Sequence, residues 1–128
     1  MNNPNLQDEI TQLHAGMCSA LADPNRILIL YALAEKPYCV NDLAAELGLS
    51  QPATSRHLKI LRESGLVRPV RQGPSVEYSL VDRRLIEALN ILRAVLRDRI
   101  VYRAGLMDTE TNLRPETNSI PDQIIPQS

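Results

Sequence analysis

Apolar positions recur along the first half of this chain at helical spacing. Leu6, Ile10, Leu13 and Met17 step by 4, 3 and 4, which predicts a first helix with a heptad-like seam. Asp23-Pro24 ends it and opens a second helix over about residues 24–36, with Asp23 as N-cap and Pro24 in the first turn. Ile27, Leu28, Leu30, Tyr31 and Leu33 leave that helix apolar over much of its surface, so it is expected at the centre, and Pro37 closes it. Val40–Leu47 predicts a short third helix capped by Asn41, with Leu43, Ala44 and Leu47 on its apolar face. Gly48 permits a tight turn into Leu49–Gly65, LSQPATSRHLKILRESG. Here Ser50 is the N-cap, Pro52 lies in the first turn, and Thr54, Leu58 and Leu61 form a buried stripe at i, i+4 and i+7.

The period then changes to two. Leu66–Gln72 and Ser75–Leu80 are strand-prone runs around Gly73-Pro74, which predicts a β-hairpin. Val76, Tyr78 and Leu80 alternate as one buried face, and Pro69 marks its strand as an edge. Asp82–Gly105 returns to helical spacing. Leu85, Leu89, Leu92 and Leu96 step by 4, 3 and 4, and Ile86, Val95 and Ile100 widen the stripe. Residues 107–128 scatter Pro115, Pro121 and Pro126 among Asn, Thr, Gln and Ser and are expected to be a disordered tail. Residues 1–106 are expected to form one domain.

Two short helices joined at a glycine, followed by a hairpin, make a winged helix-turn-helix: mainly α with a small β-hairpin. The first and last helices carry more apolar surface than so small a core needs. They either pack within one chain or pair across a two-fold axis; two half-sites are how such motifs gain affinity, which favours a homodimer through these helices.

The outer face of the fourth helix carries the chemistry. Gln51, Ser55 and Arg56 are placed to read base edges in a major groove. Ser50, Lys59 and Arg62 suit phosphates, and Arg68, Arg71 and Gln72 would set the hairpin, or wing, at a minor groove. A net charge of −1 argues against DNA until its distribution is considered. Residues 1–50 carry two basic and six acidic side chains, whereas residues 51–75 carry five basic groups against Glu63 alone. The positive field is therefore concentrated where the helix and wing lie.

Composition narrows the classes further. There is no Phe and no Trp, so the stacking platforms common in single-strand binding are missing, and double-stranded DNA is the expected partner. No apolar run approaches a membrane span, and no charged-then-apolar leader is present, so a cytoplasmic protein is expected. No nucleophile–base–acid set, phosphate-cradling Gly loop or metal-ligand cluster stands out; no enzyme, no catalytic residue and no cofactor are expected. A winged helix can also serve as a protein-interaction module. Such a module has no need of the basic concentration between 51 and 75.

Residues 21–80, from LADPNRILIL through CVNDL to VEYSL, resemble the ArsR/SmtB family of bacterial metal- and thiol-responsive repressors. The flanking helices match more loosely. The resemblance implies a homodimeric winged-helix repressor that sits on a palindromic operator and leaves when an inducer binds. The family's sensing sites are altered here. Where one uses a Cys-Val-Cys string, this chain has Cys39 and Asn41, and a thiolate with an amide does not make the trigonal sulfur site of As(III). The positions matching the other site are Asp82, Arg84, Val95 and Asp98, which predicts no zinc-type site.

Cys18 and Cys39, the two cysteines, are the candidate sensor thiols. Three readings stand: two small buried hydrophobes, a thiol switch, or a soft-metal site for As(III) or Cd(II) at Cys39 completed across a dimer, with His14 as an extra ligand. His14 otherwise reads as a surface residue. His57 reads as half-buried and hydrogen-bonded near the turn rather than touching a base. Arg83-Arg84 is either a solvated face or a prop holding the wing against DNA.

Overall fold

Helices start where short polar side chains can accept the orphan backbone N–H groups. In the computed structural model, which describes residues 4–112, the Asp23 carboxylate accepts the Asn25 N–H at 2.8 Å and opens α2 (Pro24–Glu35). The Ser50 hydroxyl likewise accepts the Ala53 N–H at 3.1 Å and opens α4 (Gln51–Glu63). Before α2 come α1 (Pro4–Gln12) and a π-helical segment (Leu13–Cys18), and between α2 and α4 lies α3 (Val40–Leu47). After α4 come β1 (Val67–Gln72), β2 (Ser75–Leu80) and α5 (Arg84–Asn112).

The two ends that matter for the helix-turn-helix are closed in the same way. Gly48 (φ 68°) and Gly65 (φ 78°) adopt the left-handed conformation that L side chains resist. The N–H groups of Leu49 and Leu66 then reach back to Ala44 O (3.0 Å) and Leu61 O (2.9 Å). These are the wide-turn bonds that satisfy the last carbonyls of a helix.

α2 packs against α3, α4 and β2, and α3 against α4. Ile29, Leu30 and Leu33 of α2 meet Leu43 and Ala44 of α3, Leu58 and Leu61 of α4, and Leu66 and Val67 in one buried core. Thr54 is fully buried, and its hydroxyl donates to Ser50 O at 2.8 Å, so no polar group is orphaned there. The hairpin pairs antiparallel with Val67 opposite Leu80, Pro69 opposite Tyr78 and Arg71 opposite Val76. On the other side of β2, Tyr38 and Tyr78 exchange backbone bonds of 3.2 and 2.7 Å, so the segment before α3 acts as a one-residue third strand. β1 is left as the free edge, where Pro69 removes no needed donor.

Several local expectations are corrected. The first helix widens to π geometry from Leu13, with Ser19 N–H reaching His14 O. Hydrophobic spacing carries no mark of such widening. The N-cap of α3 is Cys39, whose side chain makes no capping bond, rather than Asn41, because the chain leaves its bridge at Tyr38 and turns directly into the helix. In α2 the buried side is set by Ile29 with Leu30 and Leu33, and Leu28 is 51% exposed. β2 does not alternate: Val76 to Leu80 are all half-buried, since one side faces the helices and the other is shielded only in part. α5 runs through Gly105 to Asn112; the remainder of the expected tail, 113–128, lies outside the described residues.

The chain divides into two compact units, Met1–Ile86 and the part from Glu87 on. In the second, Ile91, Leu92, Val95, Leu96 and Ile100 are all about half exposed or more.

Candidate nucleic-acid interface

α4 has two faces because its polar residues fall out of phase with Thr54, Leu58 and Leu61. Gln51, Ser55, Lys59 and Arg62 lie within about 80° of helical arc, and Arg56 lies about 60° beyond, opposite the buried stripe. All nine residues expected at DNA are exposed: Ser50, Gln51, Ser55, Arg56, Lys59, Arg62, Arg68, Arg71 and Gln72.

Two hollows border this helix, and the second reaches the wing. One, of about 350 Å³, is lined by Val40, Gln51, Pro52 and Ser55. The other, of about 430 Å³, is lined by Val40, Arg62, Pro69, Arg71, Val76 and Tyr78. Val40, the first residue of α3, borders both. Gln51, Ser55 and Arg62 thus share one arc of α4, and Arg62 shares a hollow with Arg71 of the wing. Arg68 does not join them. Directly paired residues share a face of a hairpin, and Arg68 pairs with Ser79 while Arg71 pairs with Val76. The two arginines are three apart on one strand and so stand on opposite faces.

Charges on this surface are lightly tied. Lys59 Nζ is 3.9 Å from Glu63, and both side chains are well exposed, so the pair holds Lys59 weakly. Ser50 is engaged, since its hydroxyl caps α4. His57 is half-buried as expected, but its Nδ1 faces Arg26 Nη1 of α2 at 3.4 Å rather than the turn.

The candidate sensing residues differ in exposure. Cys18 is exposed and Cys39 half-buried, and both are free thiols, which overturns the reading of two buried hydrophobes. His14 is exposed. Among the described residues no group of three or more His, Cys, Asp and Glu side chains converges on one point. Asp82 is held by Arg84 at 2.7 Å; the side-chain hydrogen bonds from Arg84, with its backbone N–H, lower the carboxyl from 3.8 to about 2. Arg83 is a brace, donating to Ala34 O in the last turn of α2 at 2.9 Å. Neither of the readings given for that arginine pair anticipated this contact.

Two features escaped the sequence. The Tyr38–Tyr78 bridge leaves only a faint signal, a short β-prone Tyr38-Cys39-Val40 run after Pro37. Arg26 falls outside every hydrophobic rhythm, yet its side chain is only 13% exposed.

Comparison with known proteins fits this architecture. Residues 23–68 match the model of the bacterial regulatory protein, arsR family. A transcriptional repressor SmtB homolog from Synechocystis sp. is 43% identical over 88 residues, 69% of this chain and 64% of that protein, so the match spans less than two-thirds of that relative's length. The nodulation protein NolR of Rhizobium meliloti is 36% identical over 95 residues, 74% of this chain and 78% of its own. The crystal structure of NolR from Sinorhizobium fredii superposes with a TM-score of 0.64 at 35% identity, covering 74% of this chain and 94% of that one. With its helix-turn-helix, its wing and this match to a relative over most of that relative's length, the chain belongs to the ArsR family of bacterial regulatory proteins.

Proposed function

We propose that this protein is a dimeric, cytoplasmic transcriptional repressor that binds a palindromic duplex operator and is released by an inducer. The observation that carries the reading is the exposed arc of Gln51, Ser55 and Arg62 on α4, with Arg62 sharing a hollow with Arg71 of the wing. An amide and a hydroxyl at one end can read base edges, and guanidiniums at the other can hold phosphates. Gln51, Ser55 and Arg56 face the major groove, Ser50, Lys59 and Arg62 the backbone. Arg71 and Gln72 lead the wing, and Arg68 serves a neighbouring phosphate from the opposite face of the hairpin. The exposed stripes Ile10, Leu13 and Met17 on the first helical segment and Leu92, Val95, Leu96 and Ile100 on α5 support pairing of two copies. The exposed Cys18 and half-buried Cys39 thiols support release by a thiol-reactive inducer.

The test is a salt titration of binding to an operator selected from random duplexes. Arg56→Ala is expected to lose roughly 1–3 kcal/mol and to relax base preference. Lys59→Ala is expected to weaken operator and random DNA alike and to flatten the salt slope by about one unit. Wild-type behaviour of both variants would remove α4 as the reader. Release by oxidant or polysulfide that persists in Cys18→Ser and in Cys39→Ser would remove the thiols as sensors.

A further inference from the structure

A half-buried arginine outside the DNA face has no place in reading bases, yet Arg26 touches the helix proposed to do so. Its Nε donates to Ala20 O at 2.6 Å and its Nη2 to Ser19 O at 3.4 Å, both just beyond the π-helical segment. Its Nη1 lies 3.4 Å from His57 Nδ1 on α4, and 4.0 Å from the Asp23 carboxylate at the start of α2. A guanidinium has only donors, so His57 Nδ1 must be the acceptor. A hydrogen bond across this contact requires a neutral imidazole in the Nε2–H tautomer. One planar fork thus spans three parts of the chain: the end of the first helical segment, the N-terminus of α2, and α4.

We propose that Arg26 is a positioning residue that sets the rotation of α4 through His57 and so governs discrimination between operator and random DNA. His57 lies on the flank of α4 away from Gln51 and Ser55. A small roll about the helix axis moves Gln51, Ser55, Lys59 and Arg62 together, but the long, flexible cations still reach a phosphate, whereas the amide and hydroxyl lose the fixed angles that a base edge demands. A lysine at position 26 keeps the charge but has no fork, and cannot serve two carbonyls and an imidazole at fixed angles. The proposal rests on the DNA-binding reading above.

The experiment uses the full chain as Arg26→Lys, His57→Leu and His57→Gln, with wild type. Operator and random-duplex affinities are measured together with thermal stability, and the His57 ring nitrogens are observed by NMR. Arg26→Lys and His57→Leu are expected to lose about tenfold of operator preference with less than about twofold change on random DNA. His57→Gln, whose amide oxygen can accept from Arg26, is expected to recover most of the preference. The wild-type ring is expected as Nε2–H, and as a mixture of tautomers in Arg26→Lys. An equal fall on both DNAs tracking lost stability would overturn the proposal, as would unchanged preference in His57→Leu or a wild-type Nδ1–H ring. If wild type binds no duplex, the functional reading fails, while the tautomer measurement still decides whether the contact exists.

Discussion

α4 and α5 both carry leucines at helical spacing, but among the described residues the stripe of α4 is buried, whereas that of α5 is exposed beyond Ile86 and Leu89. Leu58 and Leu61 are at most 1% exposed, whereas Leu92, Val95, Leu96 and Ile100 are exposed by 49–61%. The same type of side chain at the same spacing therefore serves two ends. In α4 it anchors a helix so that its other face is held out to solvent at a fixed angle. In α5 it leaves a face that water covers poorly and a second copy would cover well. Periodicity alone does not tell these apart, because it reports that a face is apolar and not what lies against it.

The sharpest way to break the contrast is to shorten one residue of each stripe. Leu58→Ala is expected to cost about 2–5 kcal/mol in urea unfolding, since it opens a cavity in a closed core. A loss under 1 kcal/mol would mean that α4 is not anchored as described. On α5, Leu96→Asp is expected to raise the dimer dissociation constant by about tenfold or more in sedimentation equilibrium, about 1.4 kcal/mol. Its helical circular dichroism should stay close to wild type. An unchanged mass would show that this stripe does not hold two copies together.

Smaller effects sharpen the picture at the helix starts. Ser50→Ala removes the acceptor for Ala53 N–H and is expected to cost about 1 kcal/mol, with loss of hydrogen-exchange protection confined to the first turn of α4. Uniform loss along α4 would contradict a local cap. At the start of α5, the Asp82 carboxyl is held near 2 by Arg84, below its ordinary 3.8. A carboxyl lowered in the folded state stabilises fully above 3.8, and that contribution fades as pH falls towards 2. The expected readout is a carbon chemical-shift titration of Asp82 with a midpoint near 2, returning towards 3.8 in Arg84→Ala. An Asp82 midpoint that ignores Arg84 would remove the pair.

Much of the fold was legible because its signals are local. Asp23 and Ser50 cap the helices they were expected to cap, Gly48 and Gly65 end theirs, and the hairpin turns at Gly73-Pro74. Gln51, Ser55, Arg56, Lys59 and Arg62 were expected to point outward and are exposed, since each falls outside the buried stripe of α4. What was misread depends on partners distant in sequence. Cys39 rather than Asn41 caps α3 because Tyr38 is tied to Tyr78, forty residues on. Leu28 was counted among the apolar positions that make α2 central, but it is exposed because the core lies on the side of Ile29.

Sequence by itself determined the elements, their order, the family and the basic concentration between 51 and 75, because capping, turn chemistry and periodicity act over a few residues. Only the tertiary structure decided that Arg71 joins Arg62 while Arg68 turns away, that Arg83 braces α2, and that Arg26 reaches His57. Those outcomes follow from strand register and helix packing. They are set by which faces fit together in space, and a side chain's partner is chosen only once they do.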